Sequence, residues 1–114
     1  MLTPAEIRAI SDDLGGASET ARRLGVTRRS VSRWRSGQDA PAHPGDLIDA
    51  WCVAQIERAV ADMARQAARD GTLKGRTVRL RGTIPAGIGD KTAALMATRL
   101  RELARLVFDR VPVV

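Results

Sequence analysis

The chain has 114 residues and a formal net charge of +6, with 44% apolar but only 3% aromatic residues. That length accommodates one domain, or one domain with a dependent appendage, and excludes two large independent cores. The core must therefore be built mainly from Leu, Val, Ile and Ala, as helical packing layers are. No apolar run approaches the ~20 residues of a membrane span and no charged-then-apolar leader is present, so the expectation is a soluble, cytoplasmic protein with no membrane partner. The charge excess favours polyanions, and its distribution is uneven: residues 1–45 carry a net +2, residues 46–71 a net −2 and residues 72–114 a net +6. Cys52 is the single cysteine and His43 the single histidine. One cysteine excludes an internal disulfide and a cysteine-rich zinc site. Cys52, between Trp51 and Val53, reads as a small buried apolar residue. His43, set among prolines, reads as loop surface. No catalytic residue, metal ligand or cofactor is expected, since no paired carboxylates or nucleophile-base set occurs.

In chain order, Thr3-Pro4-Ala5-Glu6 is a helix-start signature: a threonine cap, proline at the first helical position and glutamate three residues past the cap. Ile7, Ile10 and Leu14 follow at helical spacing, and Gly15-Gly16 closes this first helix. Residues 17–37, ASETARRLGVTRRSVSRWRSG, read as two short helices joined by a glycine turn. Ser18 is expected to cap the first, with Ala21 and Leu24 inward and Gly25 supplying the turn. Val26 tucks in after the turn, Thr27 caps the next helix, Val31 and Trp34 share its buried face, and Gly37 ends it. Arg28, Arg29, Ser32 and Arg33 then point away from the core, at the turns that reach base edges in helix-turn-helix complexes. Arg35 lies farther round, suited to a phosphate.

These residues resemble the motif of the Cro- and lambda-repressor-like (Xre-type) helix-turn-helix regulators of phages, plasmids and bacterial chromosomes. Small Ala21, turn Gly25, apolar Leu24, Val26, Val31 and Trp34, and the exit RWRSG match it over about the first half of the chain. The resemblance implies a compact helical DNA-binding domain, and the small size of the chain suits a phage or mobile-element origin. Its base readers would be Thr27, Arg28, Arg29, Ser32 and Arg33, with Ser18 and Thr20 near backbone phosphates. Many relatives carry glutamine at the start of the first motif helix, where this chain has Ala17 and Ser18, so the base each arginine reads is left open.

Beyond Gly37, the segment QDAPAHPG is a loop. From Asp46 to about Asp70, apolar residues recur at intervals of three and four, giving a long helix whose far end is free to meet the tail or another subunit. Residues 77–84, TVRLRGTI, alternate strictly and predict one half-buried strand, with Val78, Leu80 and Ile84 on the apolar side. A lone strand needs a partner, most simply the same strand of a second subunit, with 111–114 at an edge. PAGIGDKT imitates a phosphate loop but has Asp90 where that loop requires glycine before its lysine, so it reads as turn and cap. Asp90 caps a last helix to about Asp109, with Met96, Leu100, Leu103 and Val107 in one stripe.

The expected architecture is thus mainly α: a helix-turn-helix domain over residues 1–70, including a long helix, then a strand-helix oligomerisation segment over residues 71–114. Val78, Leu80, Ile84, Met96, Leu100, Leu103 and Val107 are the expected dimer contacts. The function expected is that of a homodimeric repressor binding double-stranded DNA at an inverted-repeat operator. A rival of another class is a small-terminase-like or partition-type protein that docks on DNA and assembles into a higher oligomer; mass separates a ring from a dimer.

Overall fold

Helix α1 (Pro4–Asp13) opens on the capping box that the sequence spells out. Thr3 Oγ1 accepts the Glu6 N–H (3.1 Å) and Glu6 Oε1 accepts the Thr3 N–H (3.0 Å), satisfying two backbone donors that a helix start leaves open. The computed structural model describes residues 1–70, 80 and 82–108. Among these, four more helices follow: α2 (Ala17–Leu24), α3 (Arg28–Ser36), α4 (Pro44–Asp70) and α5 (Asp90–Val107). None is long and apolar enough to cross a membrane.

The two motif turns rest on glycine. Gly25 and Gly37 end α2 and α3 in the left-handed region, at φ of 67° and 80°, where a Cβ is strained. Each turn is closed by backbone bonds from beyond the glycine, Val26 N–H to Ala21 O (3.1 Å) and Gln38 N–H to Arg33 O (3.0 Å). Two local expectations are corrected. Gly16, not Ser18, occupies the N-cap of α2, because the chain turns through Gly15 and Gly16 at φ of 111° and 105°; Ser18 sits exposed within the first turn. Val26 is exposed rather than tucked in.

Helices α1, α2 and α3 pack on one another, and α1 and α2 pack on the first half of α4. The shared core holds Ile7, Ile10, Ala21, Val31, Trp34, Leu47 and Trp51, all buried. Trp51 is fully buried, and its indole Nε1–H donates to Asp13 Oδ2 at 2.8 Å, so the last residue of α1 anchors α4. Arg58 adds a second tie by donating to the Asp13 carbonyl oxygen (3.0 Å).

Helix α5 packs against α4, and Met96, Leu100, Ala104 and Phe108 join the same core. This corrects two of the expected dimer contacts: Met96 is 0% and Leu100 6% exposed, so both are spent on the chain's own interior. Arg99 reinforces the packing through Asp49 (2.8 and 3.3 Å) and Glu102 (3.2 Å), and these hydrogen bonds hold its guanidinium proton well above the ordinary arginine range. At the other end, the Gly89 N–H donates to Glu6 Oε2 (3.1 Å), joining the start of α5 to the start of α1.

No strand occurs among the described residues. Val78 and residues 111–114 lie outside them. Leu80 and residues 82–85 run in irregular conformation, with Leu80 and Ile84 half-buried against the core. Leu80 and Ile84, two of the expected dimer contacts, are thus partly covered by their own chain. The segment covers its apolar side on its own chain: Gly82 lies so close to Leu100 that a Cβ there would collide with the leucine side chain.

Candidate nucleic-acid interface

Helix α3 is positioned by its buried side and turns its opposite side to solvent. Thr27 is the N-cap, its Oγ1 accepting the Ser30 N–H at 3.1 Å, and Val31 and Trp34 fix the inward face. At 100° per residue, the direction opposite Val31 and Trp34 carries Arg29, Ser32, Arg33 and Ser36, with Arg28 on the flank. All five are exposed, as is Thr27. Ser36 was missed in the sequence reading. Its signal was the seven-residue spacing from Arg29, which returns to nearly the same angle.

The electrostatics of this face are informative. Arg28 and Arg29 occupy the first two positions of α3, where the helix dipole is positive and acidic residues are favoured, and no acidic residue lies in that turn. Among the described residues neither guanidinium has an ion-pair or hydrogen-bond partner. Each therefore stands against the helix dipole without a compensating partner among the described residues. Among the described residues the Arg33 side chain meets only Asp39, at 3.8 Å, with both side chains substantially exposed. Such a pair contributes little and exchanges readily for a stronger anion.

The flanking assignments fare differently. Arg35, expected to face a phosphate, is already engaged within the chain. It turns back onto α1, where its Nη1 donates to Asp12 Oδ1 (2.7 Å), to Ser11 Oγ and to the Arg8 carbonyl (3.4 Å). Arg8 returns a bond to the Arg35 carbonyl (2.7 Å), making a reciprocal clasp between α1 and α3. Thr20 is likewise corrected: it is 0% exposed, and its hydroxyl donates within the chain to the Gly16 carbonyl (2.8 Å) and the Ser11 carbonyl (3.4 Å). Its work is to lock α2 onto the turn after α1. Ser18 alone of the α2 pair is exposed.

Helix α2 is braced by charge. Arg23 pairs with Glu19 (3.3 Å) and with Glu57 of α4 (3.0 Å), and Arg22 pairs with Glu19. The Arg22 hydrogen bond holds the Glu19 carboxyl below the usual carboxylate range. Elsewhere, burial pushes the Cys52 thiol up to about 11, with Asp49 adding to the effect, and the thiol donates to the Met96 carbonyl (3.8 Å); it is a packing residue, not a nucleophile. His43 lies exposed in the loop before α4. Among the described residues no group of His, Cys, Asp and Glu is gathered in a way that could hold a metal ion.

Comparison with protein-family models, with curated proteins and with solved structures finds no match. The functional reading therefore rests on the geometry of α1 to α3 and on the chemistry of the α3 face.

Proposed function

We propose that this protein is a sequence-specific double-stranded DNA-binding transcriptional regulator, acting as a homodimeric repressor on an inverted-repeat operator. The observation that carries the reading is the pair Arg28 and Arg29 at the dipole-unfavourable start of α3, exposed and without internal partners among the described residues. A protein retains such a locally costly arrangement where a ligand completes it. DNA completes it in two ways, since phosphates offset the positive helix end and guanine presents O6 and N7 to a guanidinium fork in the major groove.

The roles divide by position. Arg29, Ser32 and Arg33 face straight outward and reach base edges; Arg28 and Thr27, at the helix start, reach the adjoining backbone or the first base. Ser18, exposed at the start of α2, adds a phosphate contact. One recognition helix of this size makes few contacts, so two copies on half-sites about one helical turn, ~34 Å, apart supply the specificity.

Selection of bound duplexes from a random DNA pool tests the proposal. The expected winners contain a symmetric repeat with half-sites one turn apart and guanines at the positions read by arginine. Winners indistinguishable from the starting pool would refute it.

A further inference from the structure

Resting on the base-reading role proposed for Arg33, we infer that Asp39 is a positioning residue for that arginine: its carboxylate holds the guanidinium ready for a neutral base edge, guanine above all, and against indiscriminate phosphate contact.

The exit from α3 places the two residues side by side. Beyond Ser36 the left-handed turn at Gly37 brings the chain back toward the last turn of the helix. The Arg33 carbonyl oxygen collects the returning donors: the Ser36 hydroxyl (3.1 Å), the Gln38 N–H (3.0 Å) and the Asp39 N–H (3.2 Å). Asp39 is thus tied through its backbone to the residue whose side chain it meets. Its own side chain is held as well, because Oδ1 accepts the Ala40 N–H at 3.0 Å. Oδ2 is left over and lies 3.8 Å from Arg33 Nε. The turn needs only Oδ1, which asparagine would supply equally, so the negative charge serves something other than the turn. Of the outward arginines of α3, Arg33 alone has a carboxylate beside it among the described residues; Arg28 and Arg29 have none.

At 3.8 Å the contact is an ion pair and not a hydrogen bond, and with both side chains exposed it adds little to folding. Its effect falls on recognition. A guanidinium can donate in parallel from two edges, Nε with one Nη, or Nη1 with Nη2. A carboxylate beside Nε biases the first edge and leaves the second open. Guanine offers two uncharged acceptors, O6 and N7, and can take the Nη edge while Oδ2 stays in place. A phosphate instead brings a second negative charge toward the first, and the two repel. The carboxylate therefore weakens Arg33 on any backbone more than on a base. Holding the long side chain before DNA arrives also lowers the ordering cost of the correct contact. General attraction to the backbone is left to Arg28 and Arg29.

Asp39→Asn in the full chain tests this, since it keeps the Oδ1 acceptor for Ala40 and removes only the charge. Affinities are measured at one salt concentration for three probes: a duplex recovered by the selection above, the same duplex with the base pair read by Arg33 inverted, and an unrelated duplex of equal length. That base pair is the one whose inversion no longer matters to Arg33→Ala. The Asp39→Asn protein is expected to melt within a few degrees of wild type and to bind the unrelated duplex up to about fivefold more tightly. Its preference for the correct base pair is expected to fall roughly two- to tenfold per half-site. Opposite movement of the two readouts is what a merely structural role would not produce. In an Arg33→Ala background, Asp39→Asn should leave preference at that pair unmoved. Undiminished preference in Asp39→Asn, an equal loss of affinity for all three duplexes, or a change in preference that persists without Arg33 would overturn the assignment while leaving the regulator reading intact. A wild-type chain that distinguishes none of the duplexes would overturn both.

Discussion

Replacing Arg29 with alanine separates recognition from folding more cleanly than any other change to this chain. The side chain is exposed on α3, has no partner among the described residues and occupies the second position of the helix, where its charge opposes the dipole. Its removal should leave stability within about 0.5 kcal/mol of wild type, a shift of only a few degrees in Tm, and toward greater stability if anything. A bidentate arginine–guanine contact contributes ~1–3 kcal/mol of discrimination. At 1.4 kcal/mol per factor of ten, two copies on two half-sites lose between about 30-fold and on the order of 10⁴-fold in preference for the operator. Fluorescence anisotropy with the selected duplex and a scrambled one, at one fixed salt concentration, measures that ratio. Arg35→Ala is the matched control. It removes an equal charge from the same helix but breaks the clasp onto Asp12, Ser11 and Arg8, so it should lower stability by about 1–2 kcal/mol while keeping base preference in the folded fraction. An Arg29→Ala protein with undiminished operator preference would refute the reasoning, as would a control that behaves the same way as Arg29→Ala.

Asp13→Ala should cost about 1–3 kcal/mol, because it strands the buried Trp51 Nε1–H, and Asp13→Asn, which keeps an acceptor, should recover much of that; thermal melts followed by circular dichroism check both. Met96→Ala should destabilise by about 2–5 kcal/mol in urea unfolding while the folded protein keeps its dimer mass; lost dimerisation at unchanged stability would return Met96 to an interface. Glu6 links stability to acid. Burial would raise its carboxyl, but hydrogen bonds from the Thr3 backbone, the Thr92 hydroxyl, the Gly89 backbone and the Thr3 hydroxyl outweigh burial and hold it below the usual range. The unfolded chain then binds the proton first, so the stability Glu6 contributes is fully present above the unfolded value of ~4.3 and is lost as pH falls through the lower folded value. Melting temperatures of wild type and Glu6→Gln should converge over that acid window, and a gap independent of pH would contradict the assignment.

Much of the local structure was legible because its causes are local. The Thr3–Glu6 box, the glycines at 25 and 37 and the three-residue interval of Val31 and Trp34 act over one or two helical turns, so residue identity and spacing suffice to place α1, α2 and α3. The outward set Arg28, Arg29, Ser32 and Arg33 follows from the same periodicity, because naming the buried face of a helix also names its exposed one.

Reach and partnership were not legible in this way. Arg35 lies near the boundary of α3's buried face, and only the placement of α1 alongside brings Asp12 and Ser11 within its span. Thr20 looks like any polar residue of a short helix until the Gly15-Gly16 turn carries α2 down onto α1 and buries its hydroxyl. The stripe on α5 states that Met96 and Leu100 need apolar cover but not who supplies it, and the packing of α5 along α4 gives that cover to the chain itself. Hydrophobic spacing along one chain defines a face, whereas the identity of what meets that face is a non-directional burial term that compares every surface the fold brings near. The sequence alone therefore determined the helices and the direction of the α3 arginines, and tertiary packing decided which charged and apolar groups were already spent inside and which were left for a ligand or a second copy.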